Sequence, residues 1–169
     1  MKHLRFILLT FFSSIISCSH MCQKSISNIL CVKDVNVNSS KRYESHALGE
    51  WYVLERYSLS GDTTIRLDVN KNLEICSIKR HPTLEGYYWI GWNPITVHSS
   101  MYDILLESTN FHSDNVLVRE YEECCHEESA CYYTIIVRDS TELHNDLFEK
   151  TAVVFNTRTN TLFVCNYHY

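Results

Sequence analysis

Between residues 50 and 138, short runs rich in Val, Ile, Tyr, Trp and Thr are broken by turn-forming residues, the texture of successive β-strands. The pattern predicts strands over 51–57, 63–69, 73–79 and 87–92, then over 95–98, 102–108, 116–122 and 132–137. Ser60, Gly61 and Asp62 make one loop, and Pro82, Glu85 and Gly86 fall in another. Asn70, Lys71 and Asn72 form a hairpin-type turn, because Asn tolerates the positive φ of tight turns. After Arg138 the period changes. Leu143, Leu147, Phe148, Thr151, Val154 and Phe155 recur at i, i+3 or i+4 within 139–160, which predicts one amphipathic helix, and 162–167 returns to strand character. The expected fold is all-β: an eight-stranded up-and-down antiparallel barrel, large enough to hold one small molecule, with a C-terminal α-helix packed outside.

Composition narrows the setting. A chain of 169 residues fits one domain, and a net charge of −5 with scattered Lys and Arg supplies no basic stripe, so nucleic acid is not an expected partner. Lys2, His3 and Arg5 precede an apolar run over 6–12, followed by Ile15 and Ile16, which reads as a secretory signal peptide over 1–19. Ser17 and Ser19 are small enough for positions −3 and −1 of a cut after Ser19. A transmembrane span needs ~20 apolar residues, and this stretch is shorter and interrupted by serines. The residues before Cys18 also faintly resemble a bacterial lipoprotein box, a second reading of the same stretch. Residues 20–42 then form an N-terminal approach segment and 43–169 the barrel domain, expected to be secreted and extracellular.

Of the eight cysteines, Cys18 lies in the leader, leaving Cys22, Cys31, Cys76, Cys124, Cys125, Cys131 and Cys165, an odd number in a compartment where disulfides persist. The Cys124, Cys125, His126, Cys131 group lacks paired metal-ligand spacing, so disulfide chemistry is expected there and no metal. Asn38, before Ser39 and Ser40, is an N-glycosylation sequon. The acidic run Glu122, Glu123, Glu127 and Glu128 reads as a solvated loop, and His81, His98, His112 and His126 each stand alone. With no ordered nucleophile–base motif or phosphate-cradling Gly loop, neither an enzyme nor a cofactor is expected.

The segment Gly49-Glu50-Trp51-Tyr52-Val53-Leu54-Glu55-Arg56-Tyr57 resembles the Gly-x-Trp-Tyr opening strand of lipocalins, particularly those similar to apolipoprotein D and the insect bilin-binding proteins. Thr109-Asn110-Phe111 then stands where that family has Thr-Asp-Tyr, and Arg138 where an Arg ends the eighth strand. The likeness covers roughly residues 43–167. It implies that Gly49, Trp51 and Arg138 are structural, with Trp51 plugging the closed end of the barrel and Arg138 covering it. It also implies a bridge from Cys31 or Cys22 to Cys124 or Cys125, and a second ending at Cys165. Cys76 is the candidate partner of Cys165, although it lies later than the family position. Cys131 has no counterpart, which leaves a local loop with Cys124 or Cys125 open. Residues 94–102 are shorter than the family's fifth strand and loop.

Counting back from Arg138 with period two points Ile136, Thr134 and Tyr132 inward. The resemblance adds Trp89, Tyr102, Ile104, Leu106 and Tyr121, a largely apolar and aromatic lining. The function expected is extracellular binding and transport or sequestration of a small hydrophobic ligand of the lipid, retinoid or tetrapyrrole class. The alternative is a secreted interaction protein with a filled barrel that engages another protein through its loops.

Overall fold

The computed structural model describes residues 25–32, 35–47, 50–60, 67, 69, 78–96, 105–106, 109, 114–140 and 150–168. Within these, the fold is mostly β. An antiparallel sheet of eight strands runs through β1 (Val37–Ala47), β2 (Glu50–Leu59), β3 (Lys79–Arg80), β4 (Tyr88–Trp89), β5 (Asn93–Pro94), β6 (Cys131–Val137), β7 (Lys150–Asn156) and β8 (Thr161–His168). Helical segments among the described residues include α1 over 25–30 and α2 (Val116–Cys125). The strand order is β1-β2-β8-β7-β6-β4-β3, with β5 also on β6, and no hydrogen-bonded pairing among the described residues joins β3 back to β1. No helix among them is long and apolar enough to cross a membrane.

The predicted β character holds at 51–57, 132–137 and 162–167, which lie within β2, β6 and β8. Elsewhere the assignments shift. The strand that opens the sheet is β1, drawn largely from the segment expected to be an approach to the barrel, and it pairs along its whole length with β2. Lys150–Asn156 is strand β7 rather than part of a C-terminal helix. Its apolar run has no polar alternate because both faces are covered, so the i, i+3 and i+4 matches there are coincidental. Asn156 closes the β7–β8 connection: its Oδ1 accepts from the amides of Arg158 and Thr159 at 2.9 and 3.0 Å, and Asn160 takes a left-handed φ of 49°.

A helix lies at Val116–Cys125, where a seventh strand was expected, and residues 141–149 of the expected C-terminal helix lie outside the described residues. Asn115 caps it, its Oδ1 accepting from the Leu117 amide at 2.8 Å. The buried set Leu117, Val118, Tyr121, Cys124 and Cys125 follows a 3.6-residue period, which lays one stripe on the sheet. Residues 105–106, expected in a sixth strand, are helical.

The sheet therefore separates two cores. On the helix face, Tyr52, Leu54, Tyr133, Ile135, Ala152, Val154, Phe163 and Cys165 pack with the buried stripe of α2. On the opposite face, Tyr57, Leu59, Ile136, Val153, Phe155, Leu162 and Val164 pack with Trp92 and with Ile26 and Leu30 of α1. Tyr87, Trp89 and Tyr132 are half-buried against this second cluster, which makes it the aromatic face.

Candidate functional site

The aromatic face is assembled by strand phase. Tyr132, Thr134 and Ile136 alternate onto it along β6, opposite Phe155, Val153 and Thr151 of β7. Phe155 and Val153 in turn stand opposite Leu162 and Val164 of β8. A slip supplies the tryptophans. The Trp89–Ile136 and Asn93–Tyr133 pairings differ in register by one residue, and between them Gly91 has φ 72°, a conformation open to Gly without a Cβ clash. Strict alternation would send Trp89 and Trp92 to opposite faces, whereas the slip puts both in the aromatic cluster.

In the middle of this wall sits Thr134, 0% exposed, and its Oγ1 has no hydrogen-bond partner among the described residues. Leaving a buried hydroxyl unpaired costs about 1–3 kcal/mol, so strands favour apolar β-branched residues at such a place. A lone polar atom set in apolar surroundings is the kind of group that orients a lipophilic ligand.

The rim is built around α1. Its C-terminus is a Schellman turn: the Val32 amide donates to Ser27 O at 3.0 Å, the Cys31 amide to Asn28 O at 3.2 Å, and Cys31 takes the left-handed position with φ 57°. The Cys31 sulfur lies 4.0 Å from His81 Nε2 and 3.9 Å from Thr83 Oγ1, and Thr83 Oγ1 donates to Asn28 O. Nδ1 of His81 accepts from the Leu84 amide at 3.2 Å, and its ring packs on Trp89. Burial pushes the imidazolium of His81 down to about 4 and pushes the Cys31 thiol up, so this approach is an uncharged thiol beside an uncharged imidazole. A reactive cysteine needs its thiolate stabilised, and here the surroundings work the other way.

Of the residues expected to line an interior, Trp89, Tyr132, Thr134 and Ile136 come together on the aromatic face. Leu106 and Tyr121 do not. Both pack in the cluster of the helix face, since Tyr121 belongs to α2 and donates its hydroxyl proton to Leu105 O at 3.1 Å. Tyr102, Ile104, Gly49 and Cys76 lie outside the described residues. Trp51 is half-buried at the start of β2, and the exposed Arg138 holds its guanidinium carbon over the Tyr87 ring, 5.8 Å from the centroid. Cys165 is buried within β8, between Leu54 and Ala152 of its neighbour strands. Asn38 is exposed on β1. Sequence reasoning missed Trp92, Tyr87 and His81 as parts of this face.

A second feature lies on the helix face. A cleft of about 560 Å³ opens between the C-terminal half of α2 and the sheet, lined by Arg56, Glu120, Glu123, Cys124, His126, Glu127, Asn156, Thr159, Thr161 and Phe163. Arg56 Nε meets Glu120 Oε2 at 3.2 Å inside it, and Arg158 pairs with Glu127 at its edge. No group of His, Cys, Asp or Glu among the described residues is arranged to hold a metal ion.

These elements define an antiparallel β-sheet protein with helices on both faces. The chain matches no family model, no curated protein and no solved structure.

Proposed function

We propose that this is a secreted, lipocalin-like binding protein whose sheet curls around the aromatic face to form a barrel, and that a small hydrophobic ligand binds against that face. The observation that carries the reading is the unpartnered hydroxyl of Thr134, fully buried among Tyr132, Ile136, Val153 and Phe155. Aromatic and aliphatic walls supply the affinity of such a site, and a few polar atoms fix orientation. The half-buried Trp89, Tyr132 and Tyr87 give the ligand its approach, and the α1–His81 clamp borders it. Export is supported by the sequence of residues 1–19, and glycosylation by the exposure of the Asn38 sequon.

Binding rather than catalysis is supported by the uncharged Cys31–His81 approach. The test is native mass spectrometry of the protein secreted from a eukaryotic host, paired with titrations of fatty acid, retinoid and tetrapyrrole probes. A reproducible small-molecule mass lost on denaturation, or saturable quenching of tryptophan fluorescence, is the expected result. A clean apo mass with no saturable binding to any probe would overturn it.

One observation favours a second reading, a filled barrel that acts on another protein through its surface. Val153, Phe155, Leu162 and Trp92 are each at most 1% exposed, so side chains already occupy the centre of the aromatic face. Capture of one specific protein by the ligand-free barrel, abolished by charge changes along the Glu120–Glu127 cleft, would favour it.

A further inference from the structure

The end of α2 and the start of β6 bring two thiols together. The Sγ atoms of Cys124 and Cys131 are 3.2 Å apart without being bonded, and a disulfide requires about 2.05 Å, so closing the pair takes a shift of roughly 1 Å. Little chain searching is needed. The Glu127 amide donates to Cys124 O at 3.1 Å, the Ala130 and Cys131 amides donate to Glu127 O at 3.3 and 3.2 Å, and the Thr157 amide ties Ala130 O to the next hairpin at 2.9 Å.

Helix rotation selects between the adjacent cysteines. Successive helical residues point about 100° apart. Cys124 faces β6 and the cleft, while Cys125 is turned inward and fully buried in the cluster that holds Tyr121.

We propose that Cys124 and Cys131 form a disulfide that fastens the last turn of α2 to the first residue of β6. The oxidant is a small-molecule disulfide of the glutathione class. The Cys124 thiolate attacks one sulfur of the oxidant and displaces one thiol, giving a mixed disulfide. The Cys131 thiolate then attacks the Cys124 sulfur and displaces the second thiol. Two protein thiols lose two protons and two electrons, and the oxidant becomes two thiols. The order follows from access: Cys124 is 7% exposed and lines the cleft, whereas Cys131 is 0% exposed behind it. Until the exchange begins, the hydrogen bond with Cys124 and burial hold the Cys131 proton in place.

The bridge forms part of the wall of the acidic cleft and holds Glu123 and Glu127 at a fixed separation across the turn. Its formation does not depend on the carrier reading, and the test supplies its own oxidant.

The experiment incubates the reduced full chain, folded, with glutathione disulfide, quenches free thiols with an alkylating reagent under denaturing conditions, and maps peptides after cleavage at the glutamates between the two cysteines. The expected product is a pair of fragments linked through Cys124 and Cys131, lighter by two hydrogens than the reduced pair. Cys124→Ser abolishes the link and Cys125→Ala leaves it. Alkylation of both Cys124 and Cys131 in the folded, oxidant-treated protein, or a link from Cys131 to Cys125, overturns the proposal. Cys124 and Cys125 share one fragment, so tandem fragmentation of the wild-type linked pair, which places the alkylated thiol at one or the other, decides this should a variant fail to fold.

Discussion

His81 lies on Trp89 with ring centroids 4.8 Å apart and the planes tilted by 53°. That contact, together with the amide hydrogen bonds to Nδ1, leaves no room for a hydrated imidazolium, which is why burial lowers the affinity of the ring for its second proton.

Acid should therefore loosen the α1 clamp. The imidazolium is held down to about 4 in the fold, against about 6.5 in an unfolded chain. Between those values the unfolded chain binds the proton and the folded chain does not. The stability contributed is complete above the higher value and is lost as pH falls toward the lower one. Urea midpoints of the wild type should drop between about pH 7 and about pH 4, and His81→Asn, which keeps an acceptor but cannot titrate, should drop less. Parallel curves would assign the acid sensitivity to other groups.

Thr134→Val tests the unpaired hydroxyl directly. Replacing it with an isosteric methyl should raise the unfolding free energy of the ligand-free protein by about 1 kcal/mol, as measured by denaturant titration. The same substitution should weaken a ligand that hydrogen-bonds there by about tenfold, since 1.4 kcal/mol corresponds to a factor of ten. Destabilisation instead would mean that the hydroxyl has a partner in solution.

Asn115→Ala distinguishes a helix from a strand at 116–125. An N-cap lost from α2 should cost about 1 kcal/mol, and Asn115→Asp should keep most of it. A strand has no such cap, so an effect near zero in both variants would contradict the helix.

Glu120 pins α2 across two strands, with Oε1 at 3.1 Å from Lys41 Nζ of β1 and Oε2 at 3.2 Å from Arg56 Nε of β2. Because these side chains remain partly in water, Glu120→Gln should cost only about 0.5–1 kcal/mol, and the difference from wild type should shrink as salt is raised. A loss that stays constant in high salt would point to packing rather than charge.

How much of this was legible in the sequence depended on whether alternation survived locally. The inward set Tyr132, Thr134 and Ile136 could be counted because β6 runs without a slip up to Val137. Trp92 could not, because the phase breaks at Gly91 and a sequence does not mark which residue a ladder skips. β7 looked helical because a strand covered on both faces loses its period-two signature. The helical signal of α2 was present in Asn115 and in the spacing of Leu117, Val118, Tyr121, Cys124 and Cys125, but the β-prone run over 116–122, one of a series of such runs, was read as one more strand. Tyr121 was carried to the wrong face with it.

The register of β1 against β2 slips between Val37 and Ser39, which leaves Asn38 as the extra residue on an outermost strand. Further along the same strand, Lys41, Arg42, Glu44 and His46 are all exposed. A foreign strand docking here would meet a broken ladder and charges of both signs, the two devices that keep natural sheets from adding strands without limit. The border of this molecule is thus a poor template for a further strand, and the sheet stops growing at β1 for reasons written into that strand's own residues.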